Sequence, residues 1–204
     1  MRYSRDLKFD KIRLNLMIQS YYKYGPMRTN YTQGYLDAIG GINLRFNKFK
    51  ETLNTEFLAD IANYAMIAYM YPKSEYKLRT TVDYNDMTID ADARTVFEDV
   101  KDTEILKIAK SEYSVTFDKL RIKLLRDTNY DNTDIILGIY KYIKKLNTEY
   151  DNVYLAHIAN MAMIGFVEPK ENWIFRYTTS SESPGNVGIS INEIKEIKDD
   201  KYDY

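Results

Sequence analysis

The chain has no cysteine. That excludes a disulfide framework, thiolate chemistry and cysteine-ligated zinc. It also lacks an apolar run of the roughly 18 residues needed to cross a bilayer, so no membrane partner is expected. The opening MRYSRDLKFDKIRL has none of the apolar core of a secretory leader, which makes a cytoplasmic protein the expectation. Charge of one sign is missing too. The 29 basic and 30 acidic residues nearly cancel, for a net charge of −1. No global field therefore points to a polyanion, and nucleic acid is not expected as a partner. Histidine occurs once, at His157.

What is present is a 204-residue chain that is 45% hydrophobic, with 20 tyrosines. This suffices for one sizeable core or two small ones. The most informative stretch is Asn54–Lys73, NTEFLADIANYAMIAYMYPK. Asn54 suits a helix cap. Leu58, Ile61, Ala65 and Ala68 recur at helical spacing, and Pro72 stops the helix. Glu56 and Asp60, four residues apart, place two carboxylates on one side of it. Before it, residues 1–24 read as a helix broken at Gly25-Pro26, residues 27–33 as a polar loop, and Gly34–Leu53 as a helix. The short turn at Asn54-Thr55 predicts an antiparallel αα-hairpin. Residues 74–91 read as loop or a short hairpin, and Asp92–Tyr113 as helix.

The pattern then starts again. FDKIRLNL at Phe9–Leu16 returns as FDKLRIKL at Phe117–Leu124. DAIGGI at Asp37–Ile42 returns as DIILGI at Asp134–Ile139, and DIANYAMIAYMYPK at Asp60–Lys73 as HIANMAMIGFVEPK at His157–Lys170, both without a gap between them. Two homologous halves follow, residues 1–100 and 101–204. The expected fold is mainly α, a four-helix-bundle-like core of two duplicated αα-hairpins with short β-like excursions. The duplication supplies a pseudo-two-fold axis, and further pairing into a homodimer stays open. The second half ends in a β-like run at Trp173–Tyr177, a hydroxyl- and glycine-rich loop at Thr178–Gly188, and a helix opened by the capping box Ser190-x-x-Glu193.

Chemistry could reside in several places. Glu56 and Asp60, with Asp37 arriving from elsewhere in the bundle, offer oxygen ligands of the kind Mg²⁺ takes. The alternative is that Glu56 and Asp37 serve helix N-termini. Asn63 and Asn160 occupy equal places in the two halves. They either bond across the bundle and fix its register or contact a base or sugar. His157 replaces Asp60 in the second half and is either a satisfied core histidine or a base or phosphate contact. Arg45, Lys48 and Lys50 form a basic face on the first hairpin, which is solvated or phosphate-binding. The Thr178–Gly188 loop suits a phosphate or is a linker.

KYGP at Lys23–Pro26, the basic helix LRFNKFKET and then NTEFLADIANYAMIAY resemble the all-α nucleoside triphosphate pyrophosphohydrolase superfamily, the MazG-like fold. The likeness is strongest to its phage-associated branches, including the nucleotide-modification-associated domain. It covers Tyr22–Lys73 and, more weakly, Asp134–Lys170. The resemblance implies a phage or mobile-element protein that binds a nucleotide or nucleotide-derived molecule. It further implies Mg²⁺ on Glu56 and Asp60, hydrolysis between the α- and β-phosphates, and a nucleotide contact by Asn63. Typical members carry paired glutamates on the first hairpin helix, where this chain has Asp37, Gly40, Gly41, Asn43 and Arg45. The second half has Val153 and His157 in place of Glu56 and Asp60. Two other outcomes remain open. One is a catalytically inactive descendant that sequesters a nucleotide signal or binds a host protein. The other is a structural, oligomerising bundle.

Overall fold

The computed structural model describes residues 3–32, 36–72 and 103–178. Eight helices are found among them: α1 Leu7–Tyr24, α2 Met27–Thr32, α3 Ala38–Thr52, α4 Glu56–Met70, α5 Thr103–Glu112, α6 Val115–Asp127, α7 Ile135–Thr148 and α8 Asn152–Val167. The protein is mainly α and packs as a helical bundle, as the periodicity implies. Residues 74–91, the 92–102 part of the expected helix, the loop beyond Thr178 and the Ser190–Glu193 capping box lie outside the described residues.

The two halves use equivalent local devices. Asp6 caps α1 by accepting from Phe9 N, and Ser114 caps α6 by accepting from Phe117 N. The α3–α4 turn places Asn54 Oδ1 on Glu56 N at 3.2 Å, while the α7–α8 turn places Asp151 Oδ1 on Val153 N at 2.9 Å. Both turns are short, so α3–α4 and α7–α8 are antiparallel hairpins. Each satisfies helix-end donors that would otherwise be orphaned.

The centre of the bundle is the pairing of α4 with α8. Ala59, Ala62, Ala65 and Ala68 line α4, and Ala156, Ala159, Ala162 and Gly165 occupy the equivalent line on α8; all are buried. Side chains this small let two helix backbones approach closely. Almost every α8 residue from Asn152 to Gly165 is buried, as expected of a helix apolar on all sides. α1 packs on α4 and α5, and α6 packs on α8. One continuous core takes residues from both halves, among them Phe9, Phe49, Leu58, Phe117, Ile139 and Leu155.

Three expectations need correction. Met27–Thr32 is helical, not a polar loop, because Pro26 sets the chain up for a first helical turn and Glu112 Oε2 accepts Met27 N at 2.9 Å. The helix expected to begin at Gly34 begins at Ala38, with Asp37 in an extended N-cap conformation. The β-like run at Trp173–Tyr177 is a single parallel bridge, between Ile174 and Asn54. It stitches the end of the second half onto the turn of the first. Thr55 N donates to Ile174 O at 2.8 Å, and Asn54 Nδ2 donates to Arg176 O at 2.8 Å.

Candidate functional site

The strongest polar feature was not singled out from sequence. It is a sealed ionic centre built from the repeated F-D-K-x-R motif. Asp10 and Arg13 come from α1, Asp118 and Arg121 from α6, and all four are at most 1% exposed. Arg13 Nη1 donates to Asp10 Oδ1 at 2.9 Å and to Asp118 Oδ1 at 3.4 Å. Arg121 Nη1 donates to Asp118 Oδ1 and to Asp10 Oδ1, each at 2.9 Å. Each arginine thus bridges its own aspartate and that of the other repeat. The outer carboxylate oxygens are met by residues at equal repeat positions. Arg5 Nε donates to Asp10 Oδ2 at 2.5 Å, and the Tyr113 hydroxyl donates to Asp118 Oδ2.

Burial alone would push the Asp10 carboxyl up, but Arg121, Arg5 and Arg13 together hold it well below the usual carboxylate range. Burial would also strip protons from Arg5 and Arg121; Asp10 and Asp118 outweigh it and raise both. Tyr113 is pushed well up, by burial first and by the two aspartates next, so it stays a hydroxyl donor.

Asn63 and Asn160 belong to this centre. Asn63 Nδ2 donates to Arg13 O at 2.9 Å, and Arg13 Nε donates back to Asn63 Oδ1 at 3.2 Å. Asn160 Nδ2 donates to Arg121 O at 2.9 Å, and Arg121 Nε donates to Asn160 Oδ1 at 3.3 Å. Met66 and Met163 sulfurs accept from the remaining arginine nitrogens at 3.5 and 3.6 Å. Both amides are spent on arginines inside the bundle, at 5% and 0% exposure, where no base or sugar reaches them.

Glu56, Asp60 and Asp37 do not converge. Glu56 is 3% exposed, and its carboxylate accepts Thr178 N. Asp60 lies 3.9 Å from Arg45 Nε. Its side chain keeps 27% of its surface, yet desolvation pushes its carboxyl up against the pull of Arg45. Asp37 is exposed at the start of α3, the end of the hairpin away from Glu56. Among the described residues no three acids or histidines are grouped to hold a metal. These residues do not fit a magnesium site. Lys48 is half-buried and paired with Glu51 at 2.9 Å.

The repeat offset explains the Arg45–Asp60 pair. The equivalent positions in the second half are Tyr142 and His157, which stack at 4.4 Å with planes 10° apart. An ion pair in one hairpin is thus replaced by an aromatic stack in the other. Arg45 also lies over the Tyr64 ring, 4.8 Å from its centroid. His157 is 8% exposed, and its Nδ1 lies 2.7 Å from the Tyr130 hydroxyl. Burial lowers its pKa to about 4, aided by the charges of Lys145 and Lys141.

Those lysines define the most distinctive surface. α7 carries Lys141, Lys144 and Lys145 and no acid. Lys141 Nζ and Lys145 Nζ lie 5.9 and 5.7 Å from the Tyr142 centroid, and Lys145 lies 5.0 Å from that of Tyr154. Among the described residues no carboxylate pairs with any of the three. Lys145 stands at the repeat position of Lys48, so the 97-residue offset was the available signal for it. Two shallow cavities, of about 170 and 330 Å³, lie beside Tyr3 and reach none of the residues expected to act.

Fold and centre together define a helical bundle whose two F-D-K-x-R segments are joined through shared arginines and aspartates. Compared with known proteins, the chain matches no family model, no curated protein and no solved structure.

Proposed function

We propose that the chain is a MazG-like bundle that binds a nucleotide without hydrolysing it, on the α7–α8 face of its second half. One observation carries this reading: two lysines flank an aromatic stack, with no acid among the described residues paired to them. Lys141 and Lys145 offer charge to phosphates. The half-buried Tyr142, backed by His157, offers a ring to a base. The face is open, which suits capture and release of a small molecule. Hydrolysis is left out of the proposal because Glu56, Asp60 and Asp37 are each held in a separate environment.

The test is calorimetry with a panel of nucleoside mono-, di- and triphosphates, with and without Mg²⁺. Binding is expected without metal. It should weaken at least tenfold when Lys141 and Lys145 are both changed to alanine, about 1.4 kcal/mol. Asp60→Ala should leave it unchanged. Binding that requires Mg²⁺ and is lost in Asp60→Ala would restore the hydrolase reading.

A further inference from the structure

We propose that an anion seated between Lys141 and Lys145 is taken up together with a proton on His157, and that this proton turns round the Tyr130–His157 hydrogen bond, the last link of a chain that starts at the ionic centre. The inference rests on the nucleotide-binding reading and adds its regulation.

The direction of the chain follows from its fixed end. Arg121 Nε can only donate, so Asn160 Oδ1 faces it, at 3.3 Å, while Asn160 Nδ2 donates one proton to Arg121 O at 2.9 Å. That nitrogen donates to the Tyr130 hydroxyl at 3.3 Å. The hydroxyl oxygen lies 2.7 Å from His157 Nδ1. The ligand-free protein is assigned the neutral Nε2–H imidazole, in which Nδ1 accepts the hydroxyl's proton.

Protonation of Nδ1 breaks this order. The Tyr130 oxygen would then receive from both His157 and Asn160, and its proton must turn elsewhere. The Thr128 side chain lies within hydrogen-bonding reach of that hydroxyl. Around His157, α7 presents Lys141, Lys145 and the phenol of Tyr142. The loop after α6 presents Tyr130, with Arg121 of α6 acting on it, and α8 itself presents Tyr154 beside the stack. The two lysines are the charges that disfavour an imidazolium there. A bound phosphate chain neutralises them and removes that opposition. By linkage, proton uptake and anion binding then favour one another equally. The first half has no such device, because Asp60 stands where His157 does.

Because His157 is the only histidine, its imidazole nitrogens can be followed by NMR in the intact protein without assignment. The ligand-free protein should show the neutral Nε2–H form down to about pH 5. Saturating ATP without metal should raise the midpoint of His157 by a pH unit or more. Tyr130→Phe removes the donor that holds Nδ1 as acceptor and should raise the midpoint of the ligand-free protein. If calorimetry shows ATP bound while the His157 midpoint stays in place, the coupling is wrong and the nucleotide reading stands. If ATP does not bind between pH 5 and 8, both fall. An Nδ1–H tautomer in the ligand-free protein overturns the chain's direction outright.

Discussion

Asp10 and Asp118 are the residues on which charge converges, with Arg5, Arg13 and Arg121 all paired to each. Taking charges out of water is expensive, and the cost is recovered only while every partner is present. Asp10→Asn leaves three buried arginines facing the single carboxylate of Asp118. The expected loss is about 3–5 kcal/mol, read from the urea midpoint. Asp118→Asn should cost about the same, since the two aspartates are equivalent by repeat. A neutral outcome for either would mean that water enters the centre. The motif supplying these residues was plain in the sequence as a repeat, but its chemistry was not. A D-x-x-R spacing on a helix is ordinarily read as a surface ion pair, and only the meeting of α1 with α6 takes it out of solvent. Asn63 and Asn160 were visible as a matched pair for the same reason, while their arginine partners lay 50 and 39 residues away.

At the level of helices, the two hairpins are closed by glycines at equal positions. A Cβ on Gly41 would lie 2.4 Å from Tyr64 Cδ1, and one on Gly138 would lie 2.4 Å from Met161 Sδ. Neither glycine has a positive φ, so the constraint is space alone. Alanine improves helix propensity by about 1 kcal/mol, while overpacking costs about 1–3 kcal/mol. Which term wins depends on the neighbour. Tyr64 is a rigid ring with Arg45 over it, whereas Met161 is a flexible chain that can turn aside. Gly41→Ala should therefore lower the melting temperature, and Gly138→Ala should leave it nearly unchanged. The hairpins themselves were legible from apolar spacing and the short turns. Asp60 was legible as an anomaly. Its partner was not: Arg45 reads as part of a solvated basic face until α3 and α4 are laid together.

For the whole molecule, the first effect of acidity falls on His157. His157 protonates near 6.5 when unfolded but only at about 4 when folded. The unfolded chain binds more protons between those values, so stability is full above pH 6.5 and falls as pH drops toward 4. The loss is about 3 kcal/mol. Asp10, held below its ordinary range, adds a second loss at still lower pH as its carboxylate protonates. Thermal melts from pH 7.5 to 4 should show the first decline, and His157→Phe should flatten it. A pH-independent melting temperature over that window would contradict the buried neutral histidine. The all-α class and the duplication were readable because both are repeated patterns. The position of the α7 face was not, because three lysines on an exposed helix look like any solvated surface until the stacked rings beneath them are seen.

The ionic centre also bears on how the protein is made. A ribosome delivers Arg5, Asp10 and Arg13 well before Asp118 exists. The first half carries two arginines and one aspartate into the centre; the second carries one of each. An emerging first half therefore holds a surplus cation that nothing in its own centre neutralises. Its final packing waits for α6 to leave the exit tunnel, although domains more often settle in order of synthesis. That dependence is built into the duplication itself, because each copy keeps part of what the other needs to complete the centre.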